Sequence, residues 1–492
     1  MRKWELLTTA LDPRRPAPLF LQLANAVAED IRKGRLKAGD ALPGTRVLAE
    51  RLGVHRNTVI AGYQELALQG FVRARKGGGT FVTDRAKPTA APPPSPRPPP
   101  TYAVPPPLPA QPMPPPDPRG PLMMFRGVPD VRLLPAEALA RAFRRALSRH
   151  GRKLLGYADP RGHERLRGEL ATMLSHTRGL AVSADSVAIT RGSQQALYLV
   201  AQTFLAPGDV VAVEELGNPA AWSALRLRGA ELVPVPIDDD GLDVEALEVL
   251  LRRRAVRAVY LTPHHQFPTN TVMSTGRRER IAALAVRHRF AIIEDDYDHE
   301  FHYEGRPLAP IAAGAGGENV IYVGSLSKVL APGLRVGYVV APPSVLEPLV
   351  SLRAVCDLQG DTAVECAIAE LFEDGELVRH VRRMGQIYAR RRDALAAALA
   401  THLGDALRFR VPDGGMALWA KVQGKIDVAA WSRAGEALGV LFRGAGMFDL
   451  LGRDRPFLRL GFTYHDEAEL AEAASRMARA LATVTRTARR MP

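Results

Sequence analysis

The chain has 492 residues, 46% of them hydrophobic and 24% charged, which is the balance of an ordinary globular protein. This length is too great for one hydrophobic core and predicts two or three domains. No apolar run approaches the ~20 residues that span a bilayer, and the first residues lack a secretory pattern, so we expect a cytoplasmic protein without a membrane partner.

The net charge of +14 is unevenly distributed along the chain. Residues 1–83 hold 14 Lys and Arg against 7 Asp and Glu, so half of the excess lies on about a sixth of the sequence. A basic module of this kind favours a polyanionic partner such as nucleic acid.

The N-terminal module is predicted to contain three helices and a hairpin. Apolar residues recur at helical spacing from Phe20 to Ile31, and Gly34 is a natural stop. The other predicted elements are a helix from an N-cap at Thr45 to Leu52, a helix over Arg56–Gln69, and strands at Phe71–Arg75 and Thr80–Thr83. This order predicts a winged helix–turn–helix.

Its polar residues suit DNA. Arg56, Asn57 and Thr58 begin the third helix, where side chains can reach base edges and phosphates in a major groove. Arg46 and Lys76 can neutralise phosphates, and Gly78 lets the wing approach the backbone of double-stranded operator DNA. The alternative is a helical protein-interaction module with a solvated basic face.

The stretch from Pro18 to Val82 resembles the winged helix–turn–helix of the GntR family over its whole length. That family usually carries two serines before the arginine of the second helix. Gly44 and Thr45 stand there in this chain, so one phosphate-contacting hydroxyl is missing.

A proline-rich segment follows this module. Residues 88–121 contain 18 prolines, which lack an amide donor and exclude helix and sheet. We predict a winged-helix domain at 1–83, a semi-extended linker at 84–122 and a second domain at 123–492. A ligand for SH3 or WW domains is the alternative interpretation of the linker.

The C-terminal region alternates short apolar runs with helical segments, which predicts an α/β domain with a mainly parallel sheet. The runs are Val187–Thr190, Val210–Glu214, Ala258–Thr262, Ala291–Glu294, Val320–Gly324 and Val336–Ala341. Ligands of such sheets bind beyond the carboxyl ends of the strands.

Three polar motifs follow these runs. Residues 192–195 (Gly-Ser-Gln-Gln) open a helix and suit a phosphate, or form a plain strand–helix turn. Residues 294–298 (Glu-Asp-Asp-Tyr-Asp) could pair with a protonated ring nitrogen or form a solvated turn, and no histidine spacing there completes a metal site. Ser325, Ser327 and Lys328, with Arg335 seven residues on, suit a Schiff base beside a phosphate, although a surface lysine is the usual alternative.

The order of these motifs resembles the fold-type I enzymes that use pyridoxal phosphate (PLP), across about residues 125–485. The resemblance implies an aminotransferase-like domain with a smaller C-terminal α+β subdomain. It implies that Lys328 forms the internal aldimine, that Asp295 pairs with the pyridine nitrogen, and that Tyr297 and Gln266 or His265 lie near the ring hydroxyl. The implied phosphate ligands are Ser193, Gln194, Ser325, Ser327 and Arg335.

The same resemblance implies that Tyr157 reaches the phosphate of a neighbouring subunit in a homodimer, and that Arg459 grips an effector carboxylate. Two positions depart from the family pattern. Asn218 replaces the tyrosine that commonly stacks on the cofactor ring. The ring is then held by another residue, such as Trp222, or is held more weakly. Asn270 stands where relatives often have glycine.

A GntR winged helix joined to this domain resembles the MocR/GabR regulators. The resemblance implies a transcription regulator that senses a small amino compound through an external aldimine at Lys328 and thereby alters DNA binding. An active aminotransferase that carries an appendage is the first alternative. A regulator whose domain has lost the cofactor is the second.

Overall fold

The computed structural model describes residues 11–75, 78–84 and 120–488. The chain divides into two compact units, residues 1–107 and 108–492. Most of the predicted linker, together with Lys76, lies outside the described residues, so the proposed domain limits stay a prediction. No helix in the described part of the chain is long and apolar enough to cross a membrane.

The N-terminal unit is the predicted winged helix. Its elements are α1 (Leu19–Arg32), α2 (Thr45–Leu52), α3 (Arg56–Leu68), β1 (Val72–Arg75) and β2 (Gly79–Val82). The two strands pair in antiparallel register, with Val72 opposite Val82. Leu23, Val27, Val59 and Leu66 are fully buried and join α1 to α3 in one core.

Local sequence determines where two helices of this unit, α2 and α3, begin. The N-cap of α2 is Gly44 rather than the predicted Thr45, and it makes no side-chain capping bond. Thr45 is instead the first helical residue, because the extended backbone that a cap needs falls at Gly44 (φ −56°, ψ 143°). At α3, His55 caps the helix by accepting a hydrogen bond from the Asn57 amide.

The C-terminal unit is built on a mixed seven-stranded sheet with helices on both faces. Its first half contains β3 (Leu122–Met123), α4 (Ala136–Leu154), α5 (Glu164–Arg178), β4 (Val187–Thr190), α6 (Gly192–Phe204), β5 (Val210–Glu214), α7 (Pro219–Arg226), β6 (Glu231–Val235), β7 (Ile237–Asp238), β8 (Gly241–Leu242), α8 (Val244–Arg253) and β9 (Val256–Leu261). Its second half contains α9 (Thr275–His288), β10 (Ala291–Asp296), β11 (Val320–Ser325), β12 (Gly337–Val340), α10 (Pro343–Asp357), α11 (Thr362–Glu373), α12 (Glu376–Leu403), β13 (Leu407–Phe409), β14 (Ala417–Val422), α13 (Val428–Ala437), β15 (Val440–Leu441), β16 (Phe457–Gly461) and α14 (Glu467–Ala488).

The strand order of the large sheet is β4-β12-β11-β10-β9-β5-β6. Only β12 runs antiparallel to its neighbours β4 and β11, while the pairs that join β11, β10, β9, β5 and β6 are parallel. The central strands are apolar on both faces because helices cover both sides, which explains their continuous apolar runs. The carboxyl ends of β9, β10 and β11 therefore meet at one edge.

A smaller sheet of order β13-β14-β16 forms the second layer of this unit. It packs with α12, α13 and α14 around a separate core that includes Trp431 and Phe442. The fold class predicted from the sequence, with its smaller C-terminal α+β part, is confirmed.

Candidate functional site

A cavity of about 220 Å³ opens at the carboxyl edge of the large sheet. It is lined by Gly127, Ser193, Gln194, Asn218, Tyr260, Thr262, Phe267, Asp295, Tyr297, Ser325, Ser327, Lys328, Pro332, Arg335 and Arg459. Nine of the residues predicted from the motifs are thus brought together from segments far apart in the sequence.

Lys328 follows β11 and presents the only lysine amine among the residues that line this cavity. Its side chain is half-buried, and its Nζ donates a hydrogen bond of 2.9 Å to the carbonyl of Gly127. Burial, together with the cations Arg459 and Arg126, lowers the pKa of Lys328 to about 8. A substantial fraction of the amine is therefore neutral and nucleophilic near neutral pH.

Asp295 lies near the end of β10 and is 4% exposed. Its Oδ2 accepts a hydrogen bond of 2.8 Å from the Tyr260 hydroxyl, whereas its buried Oδ1 has no partner among the described atoms. Burial, reinforced by Asp296 and Asp298, raises the pKa of Asp295 to about 7. The carboxylate is thus set to pair with a protonated group inside the cavity.

An anion cradle forms where α6 begins. Gly192 has a φ of 77°, a backbone conformation that favours glycine. A Cβ at this position would also lie 2.8 Å from an Arg335 guanidinium nitrogen, so a side chain would crowd Arg335. No side chain caps α6, and Ser193 and Gln194 open its first turn beside the cavity. Arg335 adds a guanidinium, whose donor geometry suits phosphate oxygens.

Arg459 lies in β16 and is 2% exposed. Its carbon Cζ lies 4.7 Å from the centre of the Phe267 ring, and its Nη1 donates a hydrogen bond of 3.4 Å to the Phe125 carbonyl. In the described residues no carboxylate lies within ion-pairing distance of it. A buried guanidinium without a counter-ion on the wall of a cavity is suited to an anionic ligand group.

Three predicted residues do not line the cavity. Gln266 donates hydrogen bonds to the carbonyls of Leu216 and Phe267 and so holds the loop after β9. His265 bonds to Asp298, and Tyr297 is the member of the predicted ring-hydroxyl group that reaches the cavity. Tyr157 is 89% exposed and lies away from the cavity of its own chain.

The structure explains both departures from the family pattern. Asn218 lines the cavity and caps α7 by accepting a hydrogen bond from the Ala220 amide. Trp222 is buried against Gly217 and is not among the residues that line the cavity, so the structure does not favour it as a support for the cofactor ring. Asn270 has a φ of 61°, a left-handed conformation that asparagine tolerates best after glycine.

Sequence reasoning missed five residues that line the cavity: Gly127, Tyr260, Thr262, Phe267 and Pro332. Tyr260 and Thr262 sit at the end of a predicted strand, so a polar side chain at that edge was the available signal. Gly127 precedes the large sheet by 60 residues, and no pattern in the sequence links it to Lys328.

The predicted DNA-contacting residues lie at the helix starts of the N-terminal unit. Arg46, Arg56 and Asn57 are exposed, and Thr58 is half-buried. Arg56 donates a hydrogen bond of 3.4 Å to the Thr45 hydroxyl, which brings the beginnings of α2 and α3 together. Gly78 is exposed at the wing, and Lys76 lies outside the described residues.

Comparison with known families finds two matches along the chain. Residues 19–82 match the family described as bacterial regulatory proteins, gntR family. Residues 127–477 match the family described as aminotransferase class I and II.

Relatives share this two-part organisation or its second part. The chain is 32% identical over 442 residues to the probable rhizopine catabolism regulatory protein MocR of Rhizobium meliloti, covering 88% of this chain and 87% of that protein. It is 31% identical over 484 residues to the HTH-type transcriptional regulator TauR of Rhodobacter capsulatus, covering 96% and 98%. The crystal structure of the alpha-aminoadipate aminotransferase LysN from Thermus thermophilus, complexed with N-(5'-phosphopyridoxyl)-L-leucine, matches with a TM-score of 0.70 and 31% identity, covering 75% of this chain and 94% of that one.

We predict that the reactivity of Lys328 rises with pH around a midpoint near 8, because only its neutral amine is nucleophilic and burial lowers its pKa to about 8. The measurement is the rate of acetylation by acetic anhydride, read by mass spectrometry of the Lys328 peptide in cofactor-free protein. The Arg459→Leu variant should show a higher midpoint, because it removes a neighbouring cation. A wild-type midpoint at the 10.5 of an ordinary lysine would contradict the prediction.

Proposed function

The chain belongs to the MocR/GabR-type regulators, which join a GntR-family winged helix–turn–helix to a PLP-dependent aminotransferase class I and II domain, and from this we propose that the Lys328 cavity receives an amino compound that controls binding to an operator. The observation that carries the proposal is the presence in one chain of a DNA-binding domain and a cavity that presents a lysine amine. A metabolic transaminase has no need of residues 19–82.

The residues of the cavity fit the cofactor. The unpartnered Asp295 Oδ1 can accept from the protonated pyridine nitrogen, and the cradle of Ser193, Gln194 and Arg335 matches a phosphate. When bound, the cofactor supplies an electrophilic aldehyde that captures primary amines. Ser325 and Ser327, just before the lysine, add hydroxyl groups to the phosphate side.

Each side chain then has a definable task. Lys328 would hold the cofactor through its Nζ and give up that position to an incoming amine. Asp295 would keep a proton on the ring nitrogen, and the Tyr260 hydroxyl orients its other oxygen. Arg459 would bind the carboxylate of an amino-acid effector by charge-assisted hydrogen bonds, and Tyr297 would face the ring hydroxyl.

Regulation requires that the effector bind one state of the protein more tightly than another. We infer that exchange of the amine at Lys328, together with the new anion at Arg459, provides that difference. We further infer a homodimer in which Tyr157 of each subunit completes the partner's phosphate cradle, in keeping with its 89% exposure. The DNA-binding activity favours a place in the cytoplasm, beside the chromosome.

Transaminase turnover is the second candidate function. It is favoured by an intact set of lysine, aspartate and arginine in the cavity and by the enzyme LysN, which aligns with 75% of this chain. Steady amino transfer to a keto acid by purified protein that does not bind DNA would support it over regulation.

We predict that Lys328→Ala abolishes the effector response and spares basal DNA binding. An operator selected from random duplexes with the full-length protein is titrated in the presence of a panel of primary amines. In wild type, an effector should change affinity by roughly 5- to 150-fold, the usual range of allosteric coupling. The variant should show no change, because the amine that anchors the cofactor is gone.

Lys425→Ala removes an exposed lysine from the same unit and serves as the matched control, with a full response expected. An undiminished response in Lys328→Ala would rule out sensing through this lysine.

We predict that Arg459→Gln weakens the response to amino-acid effectors and leaves the response to the corresponding decarboxylated amines unchanged. Loss of charge-assisted hydrogen bonds worth ~1.5–3 kcal/mol corresponds to a roughly 10- to 150-fold higher half-maximal concentration. The measurement is effector titration of the cofactor's absorbance spectrum. Equal losses for both ligand types would show that Arg459 supports the cavity without binding a carboxylate.

We predict that Arg46→Ala weakens DNA binding uniformly across sequences and reduces the slope of log affinity against log salt by about 1. The reason is the loss of one phosphate-neutralising cation at the start of α2. Lys33→Ala removes the same charge from the end of α1, where Lys33 pairs with Glu29 at 2.7 Å, and should leave the slope unchanged. Equal slopes in Arg46→Ala and wild type would exclude a phosphate contact at this residue.

A further inference from the structure

Four of the chain's 12 histidines gather beyond the carboxyl ends of β9 and β10. His264 and His265 lie in the loop after β9, and His299 and His302 follow β10. The first three are 1–5% exposed, and His302 is half-buried. Because the two strands are parallel neighbours, their carboxyl ends bring together histidines that are 34 to 38 residues apart in the sequence.

The ring nitrogens of three of these histidines converge. One nitrogen from each of His264, His265 and His302 lies within 4.8 Å of the others. The His264 and His265 ring centres are 4.3 Å apart, and the His302 ring centre lies 6.1 Å and 6.4 Å from them.

Among the described residues, the nitrogens at this meeting point have no hydrogen-bond partner. Both nitrogens of His264, the Nε2 of His265 and the Nδ1 of His302 are buried without a hydrogen bond to any described atom. Buried polar atoms are normally satisfied, so three rings that can each offer one lone-pair nitrogen to this point are suited to a ligand that accepts those lone pairs.

A carboxylate fixes the orientation of His265. Its Nδ1 lies 2.7 Å from Asp298 Oδ1, which places the ring proton on Nδ1 and leaves the lone pair on Nε2. A Cβ at Gly414 would collide with that Nε2, so glycine at this position leaves the nitrogen open. His299 stacks on His264 with ring centres 4.1 Å apart and supports it from the side.

We propose that His264, His265 and His302 bind a divalent transition-metal ion of the zinc type, with a fourth coordination position left open. A tetrahedral ion with bonds of about 2.0–2.1 Å holds its nitrogen donors about 3.4 Å apart, so modest ring rotations close the set. The hydrogen-bonded pair of Asp298 and His265 is the outer support that metal-bound histidines commonly have.

An entry path reaches the site. A separate cavity of about 380 Å³ is lined by His299 and His302 and by the side chains of Leu326, Val329 and Phe372. An ion and its water molecules can approach His302 through this cavity, which is separate from the Lys328 cavity, whose lining contains none of the four histidines.

The site lies where the large sheet meets the smaller one. His302 pairs with Gly414 in an isolated bridge, the Gly415 amide donates to the Phe301 carbonyl, and the Tyr303 amide donates to the Asp413 carbonyl. An ion bound by His264 and His302 ties the loop after β9 to this docked segment. It therefore stabilises the junction of the two subdomains next to Asp295.

The test uses full-length protein without an affinity tag, stripped with a chelator and then given one equivalent of Zn²⁺. Elemental analysis after gel filtration should find about one zinc per chain, and Lys328→Ala should retain it. The double variant His264→Gln/His302→Gln should lose stoichiometric zinc. The control double variant His288→Gln/His402→Gln alters two exposed helical histidines and should keep it.

Asp298→Asn should weaken zinc binding by about 10- to 100-fold, the usual effect of losing an outer-shell carboxylate. X-ray absorption spectroscopy of the zinc-loaded wild type does not depend on whether a variant folds. The spectrum should show three imidazole nitrogens at about 2.0–2.1 Å from the zinc. Failure of the wild type to retain zinc, equal retention by the His264/His302 double variant, or a shell without imidazole would each overturn the proposal.

Discussion

Desolvation of an amine and a carboxylate at one edge of the large sheet is the constraint on which the chemistry of this protein depends. Burial lowers the pKa of Lys328 to about 8 and raises the pKa of Asp295 to about 7. Both groups therefore titrate close to neutral pH, where part of the amine is neutral and part of the carboxyl group is ionised. The parallel strands β10 and β11 bring about this arrangement because their carboxyl ends are adjacent.

Residues that follow a strand directly could be predicted from the sequence, because the strand itself fixes where they point. The apolar runs at β10 and β11 located Asp295, Ser325 and Lys328 at the ligand-binding edge. The loop after β9 could not be predicted in this way. Its path depends on contacts such as that of the Gln266 amide with the Leu216 carbonyl, 50 residues away in the chain.

Long-range packing explains the other differences. Trp222 was a reasonable candidate for the cofactor ring because it follows Asn218, but its indole fills the space beside Gly217. Gly127 accepts the hydrogen bond of Lys328 across 201 positions of sequence. The histidine cluster likewise draws on two loops and is completed by Gly414 from the smaller subdomain, so no local spacing marks it as a metal site.

The central claim is that the cofactor is covalently held by the amine of Lys328. The most direct measurement is hydride reduction of the purified protein, followed by proteolysis and mass spectrometry of every lysine-containing peptide. The account predicts one phosphopyridoxyl adduct, on the peptide that carries Lys328. An adduct on another lysine, or no adduct after incubation with pyridoxal phosphate, would contradict it.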